Sequence, residues 1–571
     1  MTTRPYVSTL MLLAAFAAHA ASVREQTLPA REVPCAFGPN VHITGPDEDF
    51  DLMKDAGFGF IRKDMFWNSV ERSKGNYNFG TYERILDAME ARGMRALFIL
   101  CYGNKIYSQA ETTEEGREAY ARFAAAAVEH FKGRRVIWEI WNEPNVKHFW
   151  KGPGDHNSVE FADQYVKLVK KAVPAMREAD PDCFIAVTAT SCLWVNSFRW
   201  LKACFEKGLL QEDIDAVSVH PYGFRMPEHA IDKGYGHLRE MMAEHEGADI
   251  PVINSEVGYD LPYLKKMGSN DENCRDHQGW YCARQYLVDM MCDVRLTIWY
   301  KWKANDFGVV NPDRSARPAF NAAKTLTDQL RGFHFAKRLP AGSDLDYLLL
   351  FEKDTGEKKL AAWTVPPRGE DDPAKARPHQ ITIPLVTSAC SLDTCDVFGT
   401  EDTVAASGGG ITLTLTGAPR YVTLCDERAA PLTSEAEAST RPAAKRTQPT
   451  EVALAMFDEL LRGRVADACA AGDKVSFFSS SVRAKLVVRA VGEDGAVQAT
   501  VERTGTAFTL RWAKLTLAER AAMAAVLLRD GDEVGHAIAA FYLIAAGDDA
   551  RGRDCLASAG ALADEVRQAF K

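Results

Sequence analysis

Between about residues 35 and 335 the chain alternates short apolar runs with longer amphipathic segments, and this alternation restricts the fold more than any other feature. A short run rich in β-branched and aromatic residues reads as a strand buried on both faces, and a segment with apolar residues at spacings of three and four reads as a helix. Strand following helix in regular order implies parallel strands joined by helical crossovers. The strand candidates are Phe37 to His42, Phe58 to Lys63, Met94 to Cys101, Val136 to Trp141, Phe184 to Thr190, Ile214 to Val219, Pro251 to Ser255 and Leu296 to Tyr300. Helical patterns occupy Tyr82 to Ala91, Thr113 to Phe131, Val159 to Glu178, His277 to Met291 and Arg317 to Leu330. Eight such repeats over about 300 residues predict an α/β fold of the (β/α)8 TIM-barrel type. A doubly wound open sheet is the alternative, but no glycine-rich phosphate fingerprint follows the first strand.

Near residue 340 the pattern becomes the alternation of half-buried antiparallel strands, over Leu345 to Thr364, His379 to Leu385, Ser391 to Phe398 and Ile411 to Leu424, with Gly408-Gly409-Gly410 as a turn. A β-sandwich over 340–426 is expected. Residues 427–450, rich in Ala, Ser, Thr, Pro and charge, read as a linker. The remainder, 451–571, reads as an additional α+β, helix-rich C-terminal domain: a helix, a hairpin around Gly492-Glu493-Asp494-Gly495, then alanine-rich helices from Leu517 whose last segments suggest helical-repeat packing. It shows no catalytic pattern and is a candidate docking module for a protein partner.

Residues 1–21 have the form of a secretory signal peptide, with Arg4 as the positive region, Leu10 to Ala18 as an apolar core too short to span a bilayer, and Ala18-His19-Ala20 as a small-x-small cleavage site. A secreted or periplasmic protein is expected, a retained anchor helix being the other reading. A net charge of -10 without a long basic run speaks against nucleic acid or an anionic membrane as partner, and no membrane insertion is expected. The 13 cysteines leave at least one unpaired, and Cys390 with Cys395, then Cys274 with Cys282, are the expected disulfides. No cysteine or histidine spacing suggests zinc, so neither a metal nor a cofactor is expected.

Chemistry concentrates at the strand ends. Val136 to Trp141 is apolar and stops at Asn142-Glu143-Pro144, since proline cannot continue a ladder, which leaves Asn142 and Glu143 at the carboxyl end where barrel enzymes bind substrate. A second strand-end acid, Glu256, follows, and two converging carboxylates are what glycoside hydrolysis uses. Trp138 and Trp141 supply flat faces on which sugars stack. Because strand side chains alternate, Glu139, Trp141 and Glu143 are expected on one face, as are His220 with Tyr222, Asn254 with Glu256, and Trp299 with Lys301.

In order and spacing, Ile140-Trp141-Asn142-Glu143-Pro144-Asn145, Ser218-Val219-His220-Pro221-Tyr222, Ser255-Glu256-Val257-Gly258-Tyr259 and Ile298-Trp299-Tyr300 resemble the fourth, sixth, seventh and eighth strand ends of clan A retaining glycoside hydrolases. The nearest types are families 39 and 5, which include β-xylosidases and exopolysaccharide endoglycosidases, and the likeness covers roughly residues 35 to 335, with Arg62 and Trp67 to Phe79 fitting the second strand end. The resemblance implies a β-linked carbohydrate substrate, Glu143 as general acid/base and Glu256 as nucleophile. It further implies Arg62 beside the nucleophile, Asn142 on the sugar 2-hydroxyl, Tyr222 leaning on Glu256 with His220 in the same pocket, and Trp299 as a sugar platform. His42, Trp67, Tyr102, Asn104, Trp150 and Trp302 are candidate subsite contacts that equally suit packing. Glu139, one layer deeper, reads as a buried partner for a cation. Lys301 departs from the family, where an acid is expected. A retired carbohydrate-binding scaffold and a transglycosylase using the same pair are the rival readings.

Overall fold

The computed structural model describes residues 22–424 apart from 35, 43–46, 368–375, 385–390 and 408–409, and residues 451–569 apart from 480–483, 493–495, 502–505, 513–514, 530–531, 547–551 and 553–554. The expected signal peptide and linker, the Gly408-Gly409 turn and the tip of the expected hairpin lie outside the described residues.

All eight expected barrel strands are present: β1 (Phe37–Pro39), β2 (Phe60–Phe66), β3 (Arg95–Cys101), β4 (Ile137–Ile140), β5 (Phe184–Ser191), β6 (Ala216–His220), β7 (Val252–Val257) and β8 (Thr297–Trp299). They pair in parallel in the order β1-β8-β7-β6-β5-β4-β3-β2. The ring closes between β1 and β2, where the Gly59 N–H donates to the Phe37 carbonyl at 2.8 Å and the Val41 N–H to the Arg62 carbonyl at 2.9 Å. Phe60, Leu97, Ile137, Ala216 and Ile253, near the strand beginnings, fill the interior with apolar side chains. Toward the carboxyl ends the interior turns polar, with Arg62, Glu139, Ser218, His220 and Ser255 all buried.

The covering helices include α1 (Gly80–Glu90), α2 (Glu114–His130), α3 (Val159–Ala179), α4 (Val195–Glu206), α5 (Cys274–Met291) and α6 (Pro318–Leu330). Their starts follow local chemistry: the Thr113 hydroxyl caps α2 by accepting from Gly116 N–H at 3.0 Å, Ser158 caps α3, and Pro318 opens α6 where no amide donor is needed. Helix α5 bears on the site directly. Its buried Asp289 accepts from Asn254 Nδ2 and Thr297 Oγ1, both at 2.8 Å, so the outward faces of β7 and β8 are tied to one carboxylate. Tyr235 and Gln285 complete that set of donors, and burial pushes the Asp289 carboxyl up to about 6 despite them.

Cys274 and Cys282 do not pair. Both lie on α5, eight residues or about 12 Å apart along the axis, beyond the roughly 7 Å Cα reach of a disulfide, and both are buried free thiols. Cys395 is also a free, buried thiol, packed with the barrel core, and its expected partner Cys390 lies outside the described residues.

The sandwich is a single eight-stranded antiparallel sheet rolled over its own core. Its strands are β9 (His334–Arg338), β10 (Asp346–Glu352), β11 (Lys358–Thr364), β12 (His379–Pro384), β13 (Ser391–Asp396), β14 (Glu401–Ser407), β15 (Gly410–Leu415) and β16 (Arg420–Leu424). Alternation along β10 and β11 sends Leu348, Leu350 and Leu360 into that core and Tyr347, Leu349, Phe351 and Trp363 against the barrel. β9 and β14 were not expected: β14 is too polar, and β9 straddles the assumed boundary.

At the seam between barrel and sheet, Arg284 donates to both oxygens of Glu228 at 2.7 and 2.6 Å, and Trp363 Nε1 donates to the same carboxylate at 2.8 Å. Both charges are buried. Glu228→Ala should therefore lower unfolding stability by about 3–5 kcal/mol, because it strands the guanidinium away from water. Denaturant unfolding measures this, and a loss under about 1 kcal/mol would contradict the assignment.

The C-terminal residues form a separate unit. It opens with α7 (Glu451–Ala470) and continues as a four-stranded antiparallel sheet of β17 (Ser476–Ser479), β18 (Ala484–Val491), β19 (Ala496–Val501) and β20 (Ala507–Arg511). The expected hairpin is its central pair. α8 (Leu517–Val526) and α9 (Glu533–Ala546) follow, and Phe457 of α7 stacks on Phe541 of α9 at 4.1 Å. Among the described residues these helices share one core with the sheet. Among the described residues no helix is long and apolar enough to cross a membrane.

Candidate active site

The site forms where the strand alternation breaks. On β4, Glu139 faces inward, but Trp141 adopts φ 66° and Glu143 φ 45°. Left-handed backbone costs a non-glycine residue roughly 1–2 kcal/mol, and it is held here by the Trp141 N–H donating to Leu100 O and the Glu143 N–H to Ala189 O. As a result Trp141 turns outward into the packing of Tyr120 and Trp150, while both Asn142 and Glu143 point into the barrel mouth. Trp141 does not share a face with the two glutamates, and Trp138 is likewise buried, so neither offers a sugar surface.

A bulge does the same on β7. Thr297 pairs with Asn254 and Trp299 with Val257, which places one extra residue on β7. Asn254 therefore faces out toward Asp289, while Ser255 and Glu256 both face in. The expectation that Asn254 and Glu256 share a face fails for this reason.

Arg62 organises the interior. Its Nε and Nη2 donate to Glu139 Oε2 at 2.8 and 2.6 Å, Nη2 donates to Asn142 Oδ1 at 2.7 Å, and Nη1 donates to Glu256 Oε2 at 2.6 Å. Glu139 is thus the partner of a buried cation, as its depth implied. Glu256 also accepts from Asn40 Nδ2 at 3.2 Å and from the Tyr222 hydroxyl at 3.0 Å. Burial pushes the Glu256 carboxyl up, His220 and Arg62 pull it down, the Glu143 charge adds to the rise and the Tyr222 hydrogen bond opposes it.

His220 is fully buried between the carboxylates, with Nδ1 2.9 Å from Glu143 Oε1. Its Nε2 lies 3.1 Å from Ser255 Oγ and 3.2 Å from Arg62 Nη2. Both hydrogens of Arg62 Nη2 already go to Glu139 and Asn142, so Nε2 pairs with the Ser255 hydroxyl while Nδ1 faces Glu143. Glu143, His220 and Glu256 each bring one atom within 4.8 Å of the others. Such spacing suits a metal ion, but Arg62 already supplies the positive charge, and both ring nitrogens of His220 are engaged.

The remaining candidates divide by burial. Trp67 donates to Glu71 at 2.6 Å and stacks on Phe123, Trp150 donates to Gln164 at 2.8 Å, and Trp302 donates to Asp49 at 2.9 Å; all three are core residues. Asn104 is also structural, donating to the Glu71 carbonyl at 2.7 Å. Tyr102 does reach the site beside Asn142 and stacks on Phe149 at 5.8 Å. His42 is half exposed at the mouth, 3.7 Å from Asp64, and partial burial lowers its pKa against the pull of that acid.

Trp299 is the largest displacement from expectation. It is fully buried beside Tyr259 in the shell between strands and helices, on the same outward side as Thr297. The half-buried Tyr300 faces the pocket instead, under the electrostatic influence of Glu256, Asp64, Arg62 and Glu143, with its edge toward His42 and the Lys301 ammonium over its ring. Asn40, Ser255 and Tyr300 are the site residues that sequence reasoning missed. Asn40 could have been read from the end of β1; Tyr300 has no signal short of knowing which face β8 turns inward. A cavity of about 180 Å³ adjoins Tyr222, lined by Phe224, Val257, Tyr259, Asp260 and Phe307 among others.

The sequence profile of the family described as Cellulase (glycosyl hydrolase family 5) matches residues 24–307. A β-xylosidase of Geobacillus stearothermophilus is 27% identical over 210 residues, 33% of this chain and 39% of that protein. A β-xylosidase of Caldicellulosiruptor saccharolyticus is 25% identical over 224 residues, 35% of this chain and 42% of that protein. The chain thus spans about two fifths of the length of the curated relatives it matches. A family 39 glycoside hydrolase from Bacteroides cellulosilyticus has a similar fold, with TM-score 0.56 over 69% of this chain and 81% of that one at 24% identity. A monomeric β-xylosidase from Caulobacter crescentus follows at TM-score 0.50, 69% and 98% coverage and 14% identity.

Proposed function

We propose that the clan A glycoside hydrolase domain of residues 24–307, which resembles families 39 and 5, hydrolyses β-linked glycans with retention of anomeric configuration. The observation that carries this reading is that one carboxyl oxygen of Glu143 lies within 4.8 Å of one of Glu256, so both acids reach a single reacting centre. Double displacement uses carboxyl groups about 5–5.5 Å apart, whereas inversion needs roughly 6.5–9.5 Å to admit a water between acid and base.

Glu256 is the nucleophile. Its three contacts from Arg62, Asn40 and Tyr222 are all donors, the set a carboxylate can satisfy, and they aim it at the anomeric carbon. Attack forms the glycosyl ester while Glu143 gives its proton to the leaving oxygen; Glu143 then takes a proton from the incoming water, and the ester is released. The contact from His220 Nδ1 to Glu143 Oε1 holds Glu143 in position through both steps. Asn142 turns its carbonyl oxygen to Arg62 and one N–H to the Tyr102 hydroxyl, which leaves the second N–H to donate to the sugar 2-hydroxyl. The signal-like N-terminus makes export part of the same proposal.

The test is product analysis after incubation with a panel of β-linked oligosaccharides and polysaccharides, with Glu143→Gln alongside. Sugar release by the wild type alone, the first product carrying the β configuration by NMR, is expected; first-formed α product would overturn retention.

A further inference from the structure

The loop after β5, hydrogen-bonded to the Glu143 segment, carries an exposed aromatic that no step above employs. Trp194 follows β5 and caps the start of α4, and it is 54% exposed, the only tryptophan among the described residues counted as exposed. A single exposed apolar residue is ordinary on a protein surface. This one is distinguished by where it is held.

The segment bearing it is bound to the catalytic loop along its length. The Glu143 N–H donates to Ala189 O, Asn145 exchanges hydrogen bonds with both backbone groups of Ser191 at 3.0 Å, and the Cys192 N–H donates to His220 O at 2.8 Å. The indole itself lies over Gly223, next to Tyr222, so closely that a Cβ at 223 would fall 2.2 Å from Trp194 Nε1. Gly223 has φ +91°, and both its missing side chain and its backbone suit that approach. Buried Leu193 and Phe224 close over Gly234 and brace the two loops against each other. An exposed indole packed over Gly223 thus stands on the loop that is tied to the Glu143 segment.

We propose that Trp194 is a stacking platform for the sugar on the leaving-group side of the scissile bond. This rests on the hydrolase reading above. The proton of Glu143 goes to the glycosidic oxygen, so whatever that oxygen carries away lies on the Glu143 side of the pocket. A pyranose presents C–H groups on its flat face, and an indole of fixed orientation receives them at little entropic cost. The substrate class is accordingly a β-linked oligosaccharide or polysaccharide whose leaving group is itself a sugar, and the same platform would seat a sugar acceptor during glycosyl transfer.

The test compares two substrates sharing one glycon: an oligosaccharide cleaved by the wild type, and the corresponding glycosyl fluoride, whose leaving group has no ring. In Trp194→Ala the ratio of kcat/KM on oligosaccharide to that on fluoride should fall roughly tenfold, mainly through KM, and Trp194→Phe should restore most of it. A thermal unfolding midpoint within about 1 °C of wild type for Trp194→Ala would exclude a folding defect as the cause. An unchanged ratio, with both substrates turned over by the wild type, would overturn this inference alone. Wild-type protein inert toward both would remove the hydrolase reading and the platform with it.

Discussion

Glu256→Ala loses turnover by roughly 10⁴-fold or more, and added azide restores part of it. On the proposed mechanism the substitution removes the atom that attacks the anomeric carbon, and it leaves Arg62, Asn40 and the Tyr222 hydroxyl around the vacated space. Those three donors and one positive charge are suited to a small anion, so azide enters and attacks from the same face. The product is a glycosyl azide of inverted configuration, which NMR distinguishes from a hydrolysis product. Glu143→Ala behaves differently: azide there attacks the ester formed by Glu256, and the glycosyl azide retains the β configuration. If both variants gave the same anomer, the two roles would be wrongly divided, and full activity in either would end the assignment.

Arg62→Met has two effects from one buried charge. Glu139, wholly inaccessible to solvent, loses its cation, and unfolding stability should fall by about 3–5 kcal/mol. Glu256 loses the guanidinium that opposes the effect of burial on its carboxyl. The sign follows from the form that reacts. Glu256 acts as the carboxylate, its pKa already stands above the ordinary range, and removing a cation that lowers it raises it further. The acidic limb of kcat/KM should therefore move to higher pH in Arg62→Met, and partly so in Arg62→Lys, whose single ammonium cannot serve Glu139, Asn142 and Glu256 together. A pH profile of each variant measures the shift. An acidic limb that stays in place would show that Arg62 supports the barrel without setting the ionisation of Glu256.

The carboxylate pair was legible from local sequence because Pro144 marks the end of β4 and because two acids following apolar runs are rare without a use. The side chains around the pair were less legible, since their direction rests on strand alternation, and alternation fails at the site. Left-handed backbone at Trp141 and Glu143 sends the tryptophan out and brings Asn142 in, and one inserted residue on β7 brings Ser255 and Glu256 in together. On β8 the inward position belongs to Tyr300, so Trp299 packs behind the sheet. Trp67, Trp150 and Trp302 mislead for another reason: tryptophans near strand ends fill the core between strands and helices as readily as they line a cleft, and each found a side-chain acceptor for its indole N–H.

Periodicity determined the eight strands alternating with helices, and Pro144 the strand end that carries Glu143, because burial on both faces and a missing amide donor are legible from near neighbours in the chain. The distances belong to the tertiary structure. Arg62 meets Glu256 from 194 positions away, and His220 meets Glu143 from 77. Ring closure between β1 and β2 and the bulge on β7 decide those meetings, and both depend on contacts among strands remote in sequence.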